Sequence, residues 1–483
     1  MLFDLIVIGS GPAGQRAALQ GAKAGKKVVI VEDYPIVGGG CLHSGTIPSK
    51  SFRESVYRWS LSSRGTLAQE GENVVRRGFR KTELPEMPRL VRRRDRVVSG
   101  EAQVIFDQLK RNGVKVLNGK ARLVSSNDVE VSSRKGIDKL TGSFIIIATG
   151  ARPVAAAHLA IDGKTVHDSN TILSLKKTPK TLVVLGAGII GCEYASMFAT
   201  AGTKVFLVDR RHEILASVDR EIVDHLVDRY SQQGVEVLLE VEAKKIDRPS
   251  PRSLRSGSVV HLSNGRQIKT DVVLVAQGRY GNTEALGLSG VGIQCDERGL
   301  VKVDEHFRTH IPNVYAVGDV IGAPALASTS MEQGRIACGH AFKIEDPRSS
   351  HKMPKIFPYG IYTIPEISMV GRTEEDLSQD KSVDLIVGRA RYRELARSQI
   401  VGDKWGLLKL MVDRKTHKIL GVHIVGDSAA DLIHIGQAVM ALEGDVYYFI
   451  NSVFNYPTLA EAYKVAAFNA VNQMKGVATP EDE

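Results

Sequence analysis

Two copies of one strand-turn-helix-strand pattern, 177 residues apart, constrain the fold of this chain more than any other feature. Each copy opens with a continuous apolar run, which is typical of a buried parallel strand, and continues into a GxGxxG turn and a second apolar strand that ends in an acidic residue. The first copy consists of Leu5 to Ile8, the glycines Gly9, Gly11 and Gly14, Val28 to Val31, and Glu32. The second copy consists of Leu182 to Leu185, the glycines Gly186, Gly188 and Gly191, Val205 to Val208, and Asp209.

This pattern provides what a bound dinucleotide needs. Glycines allow a tight turn and a close approach of the backbone to the pyrophosphate, the helix N-terminus offers free N–H groups, and the acid accepts the ribose hydroxyls. A GxGxxG turn alone is weak evidence, because it can be merely structural, but strand, helix and acid in register favour a binding module. Two complete modules predict two dinucleotides bound by one chain. A flavoenzyme that transfers hydride is the simplest use of such a pair.

Composition narrows the class of protein. A chain of 483 residues is long enough for three or more domains, and its 43% of hydrophobic residues fall in short blocks, as in globular proteins. The formal net charge is +10, but the basic residues are spread along the chain without interleaved aromatic residues, so we expect no nucleic-acid partner. An affinity for phosphate-bearing small molecules explains the charge as well.

The cysteines and the apolar runs bear on location. Cys41, Cys192, Cys295 and Cys338 show no CxxC spacing, so we expect neither a metal site nor a secreted disulfide scaffold. The N-terminus has no signal-peptide pattern, and no apolar run approaches about 20 residues, the length of a membrane-spanning helix. The sequence therefore predicts a cytoplasmic protein without a membrane anchor.

The stretch GGGCLHSGTIPSK, Gly38 to Lys50, resembles the flavin-side segment of the FAD-dependent pyridine nucleotide-disulfide oxidoreductases. In that family, two cysteines five positions apart form a disulfide that relays electrons from the flavin to the substrate. This chain has Cys41 at the first position and Thr46 at the second. A hydroxyl cannot form a disulfide, so the relay is lost while the surroundings of the flavin are kept.

The resemblance extends over nearly the whole chain and implies its domains. FIIIATG (Phe144 to Gly150) resembles the segment that leaves the FAD domain, and DVVLVAQGRYGN (Asp271 to Asn282) resembles the return. YAVGD (Tyr315 to Asp319) resembles the second FAD fingerprint, and YTIPEISMVG (Tyr362 to Gly371) the opening of a dimerisation domain. The expected fold is α/β, with two Rossmann-like domains and a C-terminal α+β dimerisation domain. Its segments are 1–150 (FAD), 151–279 (inserted NAD(P)), 280–349 (FAD and central) and 350–483 (dimerisation).

A second position separates this chain from the disulfide reductases. Their C-terminal domain ends in HxHPTxxE, in which the histidine before the proline serves the relay thiols of the other subunit. Here the motif reads FNYPTLAE, with Tyr456 at that place, and a phenol with a pKa near 10 cannot replace an imidazole at neutral pH. Together with Cys41 and Thr46, this motif resembles the transhydrogenase branch of the family, and LIHIGQAVM (Leu432 to Met440) looks like a helix of that branch.

The expected activity is hydride transfer between NADPH and NAD⁺ through FAD. The Gly9 module resembles the FAD site, which leaves the Gly186 module for both nicotinamide nucleotides in turn, a ping-pong mechanism through flavin N5. An NAD(P)H:quinone reductase of diaphorase type is the alternative enzyme, and a non-catalytic flavoprotein subunit is a third interpretation. The C-terminal domain implies a homodimer or a larger homo-oligomer.

The resemblance also assigns residues to the two sites. Lys50 and Glu193 are the expected charged pair beside the flavin and the expected catalytic residues, although both can be ordinary helical residues. The other residues expected to bind FAD are Gly9, Gly11, Gly14, Glu32, Gly40, Cys41, Ala121, Thr149, Gly150, Asp319 and Ala327. Those expected at the NAD(P) site with Glu193 are Gly186, Gly188, Gly191, Asp209, Arg210, Arg211 and Gly278.

Nucleotide preference is expected at the end of the second module. Asp209 suits the ribose hydroxyls of NAD and repels a 2′-phosphate, whereas Arg210 or Arg211 can accommodate that phosphate. Both arginines can also be simply solvated. Cys41, as a lone thiol, is expected to be a packing remnant of the lost relay, with a redox role as the alternative.

Overall fold

A computed structural model describes residues 1–65, 84–154, 157–249, 257–344 and 352–476. The first part of the chain forms β1 (Leu2–Ile8), α1 (Pro12–Lys23), β2 (Val28–Glu32), α2 (Gly39–His43), α3 (Thr46–Gly65), α4 (Met87–Arg111), β3 (Lys115–Asn118), β4 (Lys120–Leu123), β5 (Asp128–Ser133), β6 (Gly136–Ile147) and β7 (Ala151–Pro153). The next part forms β8 (Val166–His167), β9 (Thr181–Leu185), α5 (Ile189–Thr200), β10 (Lys204–Val208), α6 (Arg220–Gln232), β11 (Glu236–Leu238), β12 (Ala243–Asp247), β13 (Ser258–Leu262), β14 (Gln267–Thr270), β15 (Val272–Val275) and β16 (Arg279–Gly281).

The remainder of the chain forms β17 (Val314–Ala316), α7 (Ala327–Ala341), β18 (Tyr359–Ile361), β19 (Glu366–Gly371), α8 (Glu374–Ser378), β20 (Leu385–Arg391), α9 (Ala396–Val401), β21 (Leu407–Asp413), β22 (Ile419–Gly426), α10 (Ala429–Ala441), α11 (Val446–Asn451) and α12 (Glu461–Met474). The sequence from Ser51 to Gly113 predicts mostly helix, and α3 and α4 lie there; residues 66–83 lie outside the described residues. Among the described residues, no helix is long and apolar enough to span a membrane.

The first sheet carries the first glycine turn. In the described residues its order is β3-β2-β1-β6-β5-β4, with β17 also paired to β6. The pairs β1–β2, β1–β6, β2–β3 and β6–β17 are parallel, whereas β4, β5 and the first half of β6 form an antiparallel meander. Residues 5–8 of β1 and 28–31 of β2 are apolar and buried, and helices α1 and α7 pack on one face of the sheet. The carboxyl ends of these parallel strands therefore meet at one edge, where the turn after β1 lies.

The second sheet repeats this design for the second turn. Its parallel order is β11-β10-β9-β15-β8, so that β9, β10 and β15 correspond to β1, β2 and β6. A three-stranded antiparallel sheet, β12-β13-β14, covers one face. The strands β7 and β16 pair antiparallel, from Ala151 opposite Gly281 to Pro153 opposite Arg279. The chain thus enters and leaves this second unit through two adjacent strands.

The C-terminal sheet is antiparallel, in the order β18-β19-β22-β21-β20, and helices α10 and α12 pack on it. The strand-like sequence patterns at 406–412 and 419–425 predict two strands, which correspond to β21 and β22. The predicted helix at 432–442 corresponds to α10, which begins three residues earlier because Ser428, in a left-handed conformation with φ of 59°, directs the chain into the helix at Ala429.

Helix α5 is the element on which the three parts meet. It is buried on all sides, unlike an amphipathic surface helix, since α3 packs on one face and the second sheet on another. The C-terminal segment around Ile364 belongs to the same apolar cluster, and the Ile364 N–H donates to Ser196 Oγ at 3.1 Å. Residues from all three parts of the chain therefore meet at α5.

Candidate functional site

The first glycine turn is built so that the backbone itself forms the floor of a site. Gly9 has φ of +104°, and its N–H donates to Val31 O at 2.8 Å. A Cβ at Gly14 would lie 2.0 Å from Gly9 O, so only glycine allows α1 to approach the turn. A Cβ at Gly11 would meet no protein atom within 4 Å, and Gly11 caps α1 without a side-chain hydrogen bond. The absence of a side chain at Gly11 thus leaves room at the N-terminus of α1, where the first N–H groups of a helix can bind a pyrophosphate.

Glu32 stands at the end of β2, only 7% exposed. Its Oε2 accepts hydrogen bonds from the Ser10 N–H at 2.8 Å and from Ser10 Oγ at 2.5 Å, and its Oε1 accepts from the Tyr34 N–H at 2.9 Å. A carboxylate offers about four acceptor positions, so one position on Oε1 remains for a ribose hydroxyl.

The segment with Cys41 and Thr46 lies across this turn. A Cβ at Gly39 would come within 2.7 Å of Gly11 Cα, and the Gly38 N–H donates to Ser10 Oγ at 2.9 Å. Gly40 follows in α2, and α3 begins at Thr46. The glycine-rich start of the segment therefore lets one backbone cross directly over another.

The side chains of Cys41 and Thr46 are hydrogen-bonded to each other. Only Cys41 carries sulfur. Burial raises the pKa of the Cys41 thiol above its ordinary value, and the hydrogen bond with Thr46 opposes that shift only in part. A thiol of raised pKa is largely protonated at neutral pH and is a poor nucleophile. All four cysteines of the chain are free thiols.

The remaining residues expected at the FAD site line the same edge of the first sheet. Thr149 and Gly150 follow β6, Asp319 follows β17, and Ala327 is the first residue of α7. Thr149 Oγ1 is buried without a hydrogen-bond partner, and a Cβ at Gly150 would meet nothing within 4 Å. An unpartnered buried hydroxyl beside open backbone fits a polar ligand such as FAD.

Ala121 and Asp319 have less open surroundings. Ala121 is buried in β4, two residues after Gly119, whose N–H donates to the backbone oxygen of Glu32 at 2.9 Å. Asp319 Oδ2 lies 3.9 Å from Arg279 Nε, and Arg279 comes from β16. The strand that returns from the second unit thus carries a cation to the edge of the first sheet.

Lys50 and Glu193 form an ion pair, although 143 residues separate them. Lys50 Nζ donates to Glu193 Oε1 at 2.9 Å and to Oε2 at 2.8 Å, and the side chains are 26% and 4% exposed. Glu193 Oε1 also accepts from the Tyr362 N–H at 2.9 Å, and Lys50 Nζ lies 5.0 Å from the centre of the Tyr362 ring. A helix of each unit and the residue that follows β18 of the C-terminal domain therefore fix one ammonium group.

The second glycine turn reproduces the contacts of the first. Gly186 has φ of +109°, its N–H donates to Val208 O at 2.8 Å, and a Cβ at Gly191 would lie 1.8 Å from Gly186 O. Gly188 caps α5 without a side-chain hydrogen bond. Gly278, three residues after β15, has φ of +132° and open space at its Cβ position. The backbone offers a second pyrophosphate cradle of the same form.

The acid of the second module differs from Glu32. Asp209, 7% exposed, accepts from the Ala187 N–H at 2.6 Å and from three N–H groups of Arg211. Burial raises the pKa of Asp209, but the hydrogen bonds from Arg211 and Ala187 outweigh it and hold that pKa below its ordinary value. Arg210 is exposed, and its positive charge interacts electrostatically with the carboxylate of Glu242.

Two neighbours of the site were missed by the sequence analysis, Tyr362 and Arg279. They lie within YTIPEISMVG and DVVLVAQGRYGN, respectively, but nothing in the local pattern distinguishes them from the residues around them. Their contacts with Glu193 and Asp319 depend on how the domains meet.

Comparisons with known proteins match this architecture. Residues 3–334 match the model of the family described as pyridine nucleotide-disulphide oxidoreductase, and residues 357–467 match the model of its dimerisation domain. A soluble pyridine nucleotide transhydrogenase of Mycobacterium bovis (strain BCG / Pasteur 1173P2) is 43% identical over 98% of this chain and 98% of its own length. The enzyme of the same name from Pseudomonas putida (strain GB-1) is 42% identical over 98% of this chain and 99% of its own length.

Solved structures of two proteins superpose on nearly the whole chain. The HOCl-induced flavoprotein disulfide reductase RclA of Escherichia coli, as a Cu(II) complex, superposes with a TM-score of 0.84 at 28% identity, over 97% of this chain and 99% of the other. LpdA of Mycobacterium tuberculosis superposes with a TM-score of 0.85 at 25% identity, over 96% of this chain and 99% of the other. The resemblance covers the chain from end to end.

Proposed function

The chain belongs to the pyridine nucleotide-disulphide oxidoreductase family and, within it, to the group of the soluble pyridine nucleotide transhydrogenases; from that premise we propose that it transfers hydride between NADPH and NAD⁺. It is a flavoprotein oxidoreductase that uses FAD, with NAD(H) and NADP(H) as substrates. The observation that carries the proposal is the ion pair of Lys50 and Glu193 between two modules of one design. We place the activity in the cytoplasm and in a homodimer or larger homo-oligomer, and we retain the domain boundaries expected from the sequence.

The first module is the proposed FAD site. The turn from Gly9 to Gly14 would hold the pyrophosphate on the free N–H groups of α1, and Glu32 would accept a ribose hydroxyl at its open Oε1 position. Thr149 Oγ1 would gain the partner that it lacks within the protein. When bound, FAD supplies the hydride chemistry: it accepts hydride from one nicotinamide nucleotide and returns it to another.

The second module is the proposed site of both nicotinamide nucleotides. The chain contains one such module besides the FAD module, so NADPH and NAD⁺ would use it in turn, in a ping-pong order. The open N–H groups at the start of α5 bind the pyrophosphate that the two nucleotides share. Discrimination between them is left to Asp209, Arg210 and Arg211, beyond that shared part.

The site residues support hydride transfer without a dithiol relay. A relay needs a second sulfur beside Cys41, and Thr46 has none. Tyr456, at the place where the disulfide reductases have their acid-base histidine, is 74% exposed in the single chain. Hydride transfer between two nicotinamides needs neither group, because no substrate thiol is protonated or deprotonated.

Lys50 and Glu193 are the proposed catalytic pair. Glu193 fixes the position of the ammonium group through two hydrogen bonds, and the Tyr362 N–H in turn fixes the carboxylate. The positive charge is thereby held in a fixed position. A preorganised cation of this kind favours the anionic form of a reduced group beside it.

A stopped-flow experiment tests the proposal. The holoenzyme is reduced anaerobically with one equivalent of NADPH and mixed with excess NAD⁺, while the absorbance of the flavin and of the reduced nucleotide is followed. Rapid reoxidation with formation of NADH is the expected result. A flavin that stays reduced with NAD⁺ but is reoxidised by a quinone would refute the transhydrogenase.

That second outcome belongs to the alternative function, an NAD(P)H:quinone reductase, and one observation favours it. A cavity of about 420 Å³ lies between the start of α7, the segment before β18 and helix α10. Its apolar lining includes Met353, Ile356, Phe357 and Ile433, and Tyr362 joins it to the ammonium of Lys50. A cavity of this size and lining suits a flat aromatic acceptor.

A further inference from the structure

The carboxylate of Asp209 has no acceptor position left. Its Oδ1 accepts from the Arg211 N–H at 2.9 Å and from Arg211 Nε at 3.0 Å, and its Oδ2 accepts from the Ala187 N–H at 2.6 Å and from Arg211 Nη2 at 2.8 Å. These four bonds use the roughly four lone-pair positions of a carboxylate. A ribose hydroxyl can therefore reach Asp209 only if the guanidinium of Arg211 leaves.

The first module is an internal control for this arrangement. Glu32 occupies the same place after its strand and is equally buried, but three donors contact it, and none of them is an arginine side chain. The two modules share their turn geometry and differ at this carboxylate. The difference lies at the point where the two nicotinamide nucleotides differ, since NADP carries a phosphate on the ribose 2′-oxygen in place of a hydroxyl.

Arg211 remains able to bind a ligand while it is paired. A guanidinium has five N–H donors, and Asp209 takes two of them through Nε and Nη2, which leaves three. The side chain is 44% exposed, and Nη2 lies 3.9 Å from the Cβ position of Gly188 in the glycine turn. The paired guanidinium thus neutralises the carboxylate and presents donors to the mouth of the site.

We propose that Arg211 is a two-position specificity residue, which stays on Asp209 when NADP(H) binds and leaves it when NAD(H) binds; this inference rests on the proposed function of the second module. In the paired position, Arg211 removes the repulsion between Asp209 and a 2′-phosphate and donates to that phosphate, with Arg210 as a second cation. In the released position, Asp209 accepts the 2′- and 3′-hydroxyls of NAD(H). One site thereby serves both nucleotides without a permanent preference.

Calorimetric titration of the FAD holoenzyme with ADP-ribose and with 2′-phospho-ADP-ribose tests this inference. These probes lack the nicotinamide, so their binding does not depend on hydride transfer and can support the inference even if the stopped-flow experiment fails. In Arg211→Ala we expect the dissociation constant of the 2′-phosphate form to rise at least tenfold. That of ADP-ribose should fall about threefold or more, because Asp209 no longer has to release a partner.

Three further variants distinguish the two-position role of Arg211 from a general effect of positive charge. Arg210→Ala should weaken the 2′-phosphate form without tightening ADP-ribose. Arg211→Lys keeps the charge but cannot form the bidentate pair, so it should tighten ADP-ribose while retaining part of the affinity for the phosphate. Adding Asp209→Asn to Arg211→Ala should abolish the gain in ADP-ribose affinity.

Two results would overturn the inference. One is an unchanged or weaker ADP-ribose affinity in Arg211→Ala that retains its flavin and its circular dichroism spectrum. The other is an equal tightening of ADP-ribose in Arg210→Ala, because a loss of positive charge would then explain both.

Discussion

Replacement of Lys409 by methionine should weaken the contact between the second module and the C-terminal domain. Lys409 is 1% exposed in β21, and its Nζ lies 2.6 Å from Asp219 Oδ1, 2.7 Å from Glu374 Oε2 and 3.0 Å from Glu221 Oε2. Asp219 caps helix α6 of the nucleotide module and is fully buried. Methionine keeps the apolar stem and removes the charge, so three carboxylates lose a shared cation.

The size of the expected loss of stability follows from the burial of this ion pair. Removing one partner of a buried ion pair costs about 3 to 5 kcal/mol, because the remaining charge is left without compensation. Arg389 still contacts Glu221 at 2.9 Å and Glu374 at 3.4 Å, which places the expected loss toward the lower figure and concentrates it on Asp219. Lys418→Met is a matched control: its partner Glu443, at 2.9 Å, is 79% exposed, so the loss of stability should be much smaller than for Lys409→Met.

Hydrogen exchange resolved by mass spectrometry suits this test, since a chain of several domains does not unfold in one step. Faster exchange is expected at the start of α6, in α8 and in β21. Burial raises the pKa of Asp219, and the charge and hydrogen bond of Lys409 outweigh it, so the net pKa lies below its ordinary value. Without Lys409 a carboxyl pKa should rise above that of the unfolded chain, and the deficit should shrink as the pH falls. A loss like that of Lys418→Met, or one independent of pH, would refute the reasoning.

Three further predictions concern the pair at the proposed flavin site, the lone thiol and a buried histidine. Lys50→Met should lower the midpoint potential of the bound flavin and Glu193→Gln should raise it, so shifts of the same sign in a redox titration would contradict the electrostatic role. Cys41→Ser should keep NADPH-to-NAD⁺ turnover within about tenfold, or 1.4 kcal/mol, of the wild-type rate. Burial lowers the pKa of His423 to about 4, so the unfolded chain binds more protons between that pH and 6.5. Stability should therefore fall by about 3 kcal/mol as the pH drops through this window, and thermal unfolding of His423→Gln should lack that dependence.

Local patterns were enough to predict the two modules, because each depends on residues close together in the chain. Apolar strands, glycine turns and terminal acids are short-range features, and the structure has β1, β2, β9 and β10 where they were expected. The ion pair of Lys50 with Glu193 spans 143 residues, and its prediction came from the family resemblance and not from the pattern. The structure brings these two side chains together, while their catalytic role stays a proposal.

Long-range contacts of single side chains were not predictable. Lys409 lies in GLLKLMV, an apolar run in which a lone lysine is expected to face solvent, and its burial depends on three carboxylates supplied by α6 and α8. Likewise, the sequence places Asp209 and Arg211 two positions apart but does not determine the side-chain rotamers that join them. Such contacts arise when separate elements pack, and sequence spacing carries no signal for them.

In the proposed function, the first module holds its nucleotide permanently, whereas the second module, of the same design, exchanges its nucleotide. The surroundings of the two glycine turns differ accordingly. The Gly38 segment crosses the first turn so closely that a Cβ at Gly39 would lie 2.7 Å from Gly11 Cα, and a Cβ at Gly334 of α7 would lie 2.1 Å from Ala13 O. At the second turn, the nearest atom at the Cβ position of Gly188 is the movable guanidinium of Arg211, 3.9 Å away. A covered cradle slows release, whereas an open one allows exchange. The proposed ping-pong order needs one nucleotide that stays bound and one that exchanges, and this difference between the two turns supports that proposal.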